Sequence, residues 1–276
     1  MTFLRVSAVA LPIEFGDEER NFAAAHAALQ ACEPGQHLIV LPELAFSGYV
    51  FTDVAEARSL SMTVDDPRLS ALARDVPPGA VAVVGFCERA GDRLYNSALV
   101  FDRSGILGCY RKAHLWDEES RFFSVGDEAG MVLDTPIGRL GVAICYDIEF
   151  PEVPRRLALA GASFLALPVN WPLVDRPAGE HPPETIQAMA AARASRLPTA
   201  IADRHGTERG VEWTGGTAVI SGDGWVCATP DEHGVASSLV TIDSGKAIGP
   251  NNDLFADRRP ELYTDVTSRT ERGTDV

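Results

Sequence analysis

The chain has 276 residues, with 24 Lys and Arg set against 39 Asp and Glu, for a formal charge of −15. Such acidity excludes nucleic acid or an anionic membrane as the principal partner, since both require a basic face. The length allows a substantial core, and without a Pro/Gly/Ser-rich linker a single domain is expected.

Leu4 to Leu11 reads as a first apolar strand, and Glu18 to Cys32 as an alanine-rich helix closed by Pro34-Gly35. Leu38 to Leu41 is a second buried strand, stopped at Pro42, which cannot donate to a central ladder. Glu43 follows, either an exposed loop acid or a carboxylate at the sheet edge where open α/β folds assemble sites. Asp66 to Arg74 reads as helix, and Ala80 to Phe86, Leu94 to Phe101 and Ile106 to Tyr110 as strands joined by turns at Gly91-Asp92 and Asp102 to Gly105. Hairpins of this kind predict mixed sheets. Lys112 ends that strand; if the flanking Tyr110, Leu115 and Trp116 bury it, it needs an anionic partner.

Leu140 to Ile144 is a short buried strand, and a helix is expected from Glu149 through Leu159 to Gly161. Cys145 therefore falls on a strand-to-helix turn, where a side chain is presented at the carboxyl edge of a sheet. A lone cysteine after an apolar run is most often a small buried hydrophobe. The polar cluster Tyr146, Asp147 and Glu149 directly behind it points the other way. Ala162 to Leu167 is another buried strand, running into Pro168-Val169-Asn170-Trp171-Pro172. A helix over Thr185 to Leu197 leads to strand Thr199 to Ala202 and the polar segment Asp203-Arg204-His205-Gly206. Gly215 to Ser221, Trp225 to Thr229 and Ala236 to Ile242 are expected to form a final antiparallel set, and residues from about 249 to 276 an extended arm. Strand, helix and strand-end acid or thiol recur in both halves, as two facing layers of similar build would require.

The five cysteines are odd in number and scattered, and the six histidines show no H-E-x-x-H spacing. No disulfide framework, metal or cofactor is expected. Neither a secretory signal nor an apolar span of roughly 18 residues is visible, so the expected location is the cytoplasm.

Glu43, Lys112 and Cys145 make chemical sense together. A free thiol, with a pKa near about 8.5, needs a base or a nearby positive charge to attack at neutral pH. A carboxylate supplies the one and an ammonium the other.

Leu41 to Tyr49 (LPELAFSGY), Tyr110 to Leu115 (YRKAHL) and Gly141 to Glu152 (GVAICYDIEFPE) resemble the three signature blocks of the nitrilase superfamily of carbon–nitrogen hydrolases. They occur in the family's order, and later segments resemble its Pro-Asn-Trp and Asn-Asp-Leu patterns. The resemblance implies an α-β-β-α sandwich that forms homodimers, with the C-terminal arm packing on the partner subunit. It also implies Glu43 as general base, Lys112 as oxyanion-stabilising residue and Cys145 as nucleophile. A second glutamate belongs to the family's site; Glu119 is its best match and Glu118 the fallback. Tyr146 supplies a backbone N–H to the oxyanion, and Asn170, Trp171 and Tyr49 are candidates for the acyl pocket. Cys145-Tyr146-Asp147 resembles the amidase branch, so a small-molecule primary amide is the expected substrate. The alternatives are N-carbamoyl amide hydrolysis or nitrile hydrolysis by the same residues, and an inactive dimeric binding module. Asp203-Arg204 departs from the family's Asn-Arg pair, which leaves that segment without an assigned role.

Overall fold

A computed structural model describes residues 2–243 and 245–268. Of these, residues 2–243 form one compact unit and 245–268 belong to a second.

The first unit holds two six-stranded sheets. In one, β1 (Thr2–Val9), β2 (His37–Val40) and β3 (Ala80–Ala90) run parallel, and β4 (Arg93–Asp102) and β5 (Gly105–Arg111) extend it as an antiparallel meander. In the other, β6 (Met131–Thr135) pairs antiparallel with β7 (Gly138–Val142), which leads the parallel run through β8 (Phe164–Pro168) and β9 (Thr199–Ala202). Short strands β10 (Thr207–Glu208) and β11 (Val211–Glu212) form a separate hairpin, after which β12 (Ala218–Ile220) and β13 (Val226–Ala228) complete the second sheet. The first sheet is closed by β14 (Val235–Ile242), antiparallel to β1 along its whole length.

Each sheet is thus three parallel strands with a meander on one side and a single antiparallel strand on the other. This is the duplication that the sequence pattern predicts. The expectation that Ala236 to Ile242 joins the two preceding strands is corrected: that segment crosses to the first sheet. Its partner Thr2–Val9 lies at the opposite end of the chain, and a local alternating pattern carries no information on which edge it will find.

Alternation along the strands decides the layers. Ile39, Leu41, Ala80, Ala82 and Val84 pack outward against Phe22, Ala25 and Leu29 of α1 (Glu18–Gln30) and Leu69 and Leu72 of α3 (Pro67–Ala73). Their neighbours Leu38, Val40, Val81 and Val83 are equally buried on the opposite face, where β1, β2 and β3 meet β8, β9 and β12. On the far side of the second sheet lie α4 (Glu152–Leu159) and α5 (Pro183–Ser195), which pack on each other. Leu157 of α4 reaches Gly141 of β7. The result is a four-layer α-β-β-α sandwich. Both helices of the first outer layer start at an aspartate: the Asp17 and Asp66 carboxylates accept from the backbone N–H groups of Arg20 and Arg68. A short helix, α2 (Val54–Ser59), is capped in the same way by Asp53.

The helix expected from Glu149 to Gly161 is also corrected. A 3₁₀ turn covers Cys145–Glu149, Phe150 is extended, and α4 starts only at Glu152. Pro151 forces the break, because its ring disfavours helical backbone at the preceding residue. Cys145 consequently opens a tight turn of its own.

The second unit contains a small hairpin, β15 (Ala247–Gly249) with β16 (Asn252–Asp253), and two 3₁₀ turns at Pro260–Leu262 and Thr264–Thr267. The arm expected over residues 249–276 therefore has some local structure, and its end, from residue 269, lies outside the described residues. Among the described residues no helix is long and apolar enough to cross a membrane, and no group of three or more potential metal ligands converges.

Candidate active site

Glu43 follows β2, Lys112 follows β5, Cys145 follows β7 shortly after its end, and Asn170 follows β8. The two sheets therefore contribute two strand ends each. Glu43 and Asn170 occupy equivalent places in the duplicated halves, and the Asn170 side-chain amide donates to the Glu43 backbone carbonyl at 3.0 Å, tying the halves together.

Close backbone packing fixes the first two residues. A Cβ on Gly85 of β3 would lie 2.4 Å from the Glu43 Cα, and one on Gly126 would lie 2.1 Å from the Arg111 carbonyl oxygen. Only glycine lets these chains approach. The Gly126 N–H donates to the Lys112 carbonyl at 2.8 Å, while the Lys112 N–H donates to the Asn96 carbonyl at 2.8 Å, so Lys112 is held from both sides.

Lys112 is fully buried, the case in which the sequence requires an anionic partner, and it finds two. Its ammonium donates to Glu43 Oε1 at 2.8 Å and to Glu119 Oε1 at 2.7 Å. Glu119 is 3% exposed and also accepts from the Tyr49 hydroxyl at 2.6 Å and the Trp116 N–H at 3.1 Å. Glu118 points away and pairs at the surface with Arg121. Of the two glutamates considered from the sequence, the cluster therefore takes Glu119. Asn96, within β4, donates to Glu43 Oε1 at 2.6 Å and more weakly to Glu119 Oε1 at 3.4 Å.

Two carboxylates on one ammonium leave an excess negative charge in a buried site. Burial pushes the Glu43 carboxyl up to about 7, against the opposing pull of Lys112. The paired carboxylates hold Lys112 well above the ordinary lysine range despite burial. Burial, reinforced by Glu43, also raises the Cys145 thiol well above its usual value. Cys145 is thus a thiol at rest, and a nearby base that titrates near neutrality is the group able to remove its proton.

Cys145 is 4% exposed, and its S–H makes a long contact to the Asn170 carbonyl at 3.8 Å. Its φ of +46° is left-handed, as is that of Leu44, the residue after Glu43. Such a conformation costs of order 1–3 kcal/mol in a residue with a side chain, so surrounding contacts must hold it. Asp147 does much of this: fully buried, it accepts from the Ile144 N–H at 3.0 Å and the Tyr110 hydroxyl at 2.8 Å. Its other oxygen accepts from His114.

Tyr146 is half-buried in the first turn after Cys145, with its ring edge-on to Phe150. Trp171 lies beneath Gly216, and its N–H donates to Asp203 at 3.2 Å. The Gly216 N–H binds the second Asp203 oxygen at 2.7 Å, and burial pushes the Asp203 carboxyl up to about 8. Arg204 forms a buried ion pair with Glu208 at 2.6 Å, and Glu208 in turn accepts from the N–H groups of Tyr49 and Val50 at 2.8 and 2.6 Å. The Asp203-Arg204 segment, without a role in the sequence, therefore braces both Trp171 and the Tyr49 loop.

Asn96 is the site residue that sequence reasoning missed. The available signal was an asparagine inside the apolar run Leu94 to Phe101, since a buried amide must find partners. A half-open cavity of about 560 Å³ between α1 and the β1–β14 edge holds none of these groups; its polar floor is His37, Ser7 and Ser237.

This arrangement combines an acceptor for a thiol proton, a buried cation for an oxyanion and a sulfur nucleophile on a strained turn, which is the equipment for acyl transfer. Residues 5–248 match the family model for carbon-nitrogen hydrolases. The chain is 34% identical over 268 residues to a nitrilase of Pyrococcus abyssi, with 94% of this chain and 99% of that protein covered. It is 31% identical over 271 residues to an (R)-stereoselective amidase of a Pseudomonas species, covering 97% of this chain and 96% of that protein. An amidase from Nesterenkonia sp. shares the fold, with a TM-score of 0.74 at 23% identity over 95% of this chain and 96% of that one. By the span of the family match and the coverage of these relatives, the chain belongs to the carbon–nitrogen hydrolase family, within the nitrilase superfamily.

Proposed function

We propose that this hydrolase is an amidase, cleaving the C–N bond of a small primary amide to a carboxylic acid and ammonia through a Cys145 thioester. The observation that carries the proposal is the buried Lys112 ammonium bridging Glu43 and Glu119 beside the thiol. In the first half-reaction Glu43 takes the thiol proton as sulfur bonds to the carbonyl carbon. Lys112 and the Tyr146 N–H hold the oxyanion that develops. The C–N bond then breaks, Glu43 returns its proton to nitrogen, and ammonia leaves. In the second, Glu43 deprotonates water, which attacks the thioester; the C–S bond breaks, and the proton returns to sulfur. Glu119 keeps Lys112 charged and aimed throughout. Asn170, Trp171 and Tyr49 line the acyl side, where close confinement favours a small substrate.

The test is ammonia release from primary amides, nitriles and N-carbamoyl compounds sharing one acyl group. Primary amides are expected to turn over fastest, and Cys145→Ala to release nothing while keeping the wild-type circular dichroism spectrum. The 34% identity to a protein named nitrilase favours nitrile hydrolysis as the second reading, and faster nitrile turnover in the same assay establishes it. A homodimer in the cytoplasm, with the C-terminal arm seated on the partner, completes the proposal; sedimentation of the full chain and of a chain ending at residue 248 tests the assembly.

A further inference from the structure

The buried polar atoms of the site are unevenly satisfied. Every side-chain amide donor around Cys145 already has an acceptor: Asn96 Nδ2 on the two carboxylates and Asn170 Nδ2 on the Glu43 carbonyl. On Glu43 and the two asparagines that bond to it, the unpaired atoms are all acceptors, namely Glu43 Oε2, Asn170 Oδ1 and Asn96 Oδ1, while the unpaired indole N–H of Trp213 lies farther out, beyond the Tyr49 ring. Because Nδ2 of Asn170 must face a carbonyl, which can only accept, the orientation of this amide is fixed and its oxygen is the free end. Asn170 is 1% exposed, so that oxygen has little access to bulk water. Its backbone carbonyl takes the Cys145 S–H contact, which puts Asn170 beside the nucleophile; Asn96 makes no such contact.

Unpaired buried acceptors are costly unless a ligand brings donors to them. On the amidase reading Glu43 returns the proton to the leaving nitrogen, and its unpaired Oε2 is the oxygen free to meet that nitrogen. A second N–H on the same nitrogen then needs its own acceptor. Resting on the amidase reading above, we infer that Asn170 Oδ1 receives this second N–H and is the residue that selects an unsubstituted –CONH₂ group. A nitrile or an ester brings no N–H and leaves the Asn170 oxygen unpaired.

Alkylation of Cys145 tests this without requiring turnover. Iodoacetamide, iodoacetonitrile and methyl iodoacetate present –CONH₂, –CN and –CO₂CH₃ to the same sulfur, and dividing each rate by that with glutathione removes intrinsic reactivity. Wild type is expected to favour iodoacetamide over both others by about 10-fold or more, the usual effect of pairing one buried acceptor. Asn170→Leu should bring the corrected rates within about 3-fold of one another, that is, most of this one-contact effect is lost. Asn170→Asp should keep the preference, because a carboxyl buried there against the Glu43 backbone carbonyl stays protonated and retains both a donor and a carbonyl oxygen. No preference in wild type, or an undiminished one in Asn170→Leu, overturns the inference. Ammonia release from primary amides decides the amidase reading separately: turnover without an alkylation preference removes only the role of Asn170, and preference without turnover removes only the amidase.

Discussion

Asp147, two residues beyond Cys145, is hydrogen-bonded to His114, two residues beyond Lys112, through both the His114 backbone N–H at 3.1 Å and its ring Nδ1–H at 2.8 Å. The same carboxylate holds Ile144 and Tyr110, so one buried side chain fastens the nucleophile turn to the lysine loop. Asp147→Ala leaves the Ile144 and His114 N–H groups without acceptors, at about 1–3 kcal/mol each. The expected outcome is a loss of roughly 3 kcal/mol in urea denaturation, together with a fall in kcat of about 10-fold or more as the strained Cys145 turn relaxes. Unchanged stability would show that the carboxylate is not the fastening point.

Burial pushes the Glu43 carboxyl up to about 7, and the proposed base must be ionised to take the thiol proton, so kcat/KM should rise with pH through an acid limb near 7. The stability effect has the opposite sign. The folded-state pKa of Glu43 is raised above its unfolded value of about 4.3, so its contribution is fully present below that value and is lost as pH rises toward 7. Glu43→Gln should abolish activity and flatten the stability profile across this window, which a pH series of thermal melts reads directly.

Glu119 and Glu118 are adjacent in sequence but opposite in environment. Glu119→Gln removes one of the two charges on buried Lys112 and should lower kcat/KM by about 100-fold or more, the scale for losing a fixed electrostatic partner of an oxyanion donor. Glu118→Gln touches only a surface pair with Arg121, worth about 0–1 kcal/mol, and should leave kcat/KM within about 2-fold. Tyr49→Phe loses one charged hydrogen bond to Glu119 and should fall between them, at about 10-fold.

Gly85 gives a purely steric test. Its Cβ position is 2.4 Å from the Glu43 Cα and 2.7 Å from the Leu44 nitrogen, both backbone atoms that cannot swing aside. Gly85→Ala should displace Glu43 and cost roughly 100-fold in kcat, as a shift of about 1 Å in a catalytic group does elsewhere. Alanine at Gly91, whose Cβ would meet nothing within 4 Å, is the control for substitution without a clash, apart from the strain of its φ of +60°.

The parts legible in the sequence were those whose chemistry is local. Glu43, Lys112 and Cys145 each follow a predicted strand inside an extended motif, and the recurrence of strand, helix and strand-end acid or thiol in both halves pointed to two facing layers. What escaped depends on pairing between distant segments. Asn96 reaches Glu43 only because β4 lies between β3 and β5 in the observed register, and the place of β14 was set by β1 at the far end of the chain. Strand β6, partly exposed along its length, has no clean alternation to betray it. The break at Phe150–Pro151 was visible in the proline, but it was outweighed by the helical pattern that follows.

The most direct measurement is intact-protein and peptide mass spectrometry of enzyme quenched during turnover of a primary amide. The account predicts a hydroxylamine-labile acyl adduct on the peptide containing Cys145, absent in Cys145→Ala and never present on Cys32, Cys87, Cys109 or Cys227. Turnover by Cys145→Ala, or an adduct on any other residue, would contradict it.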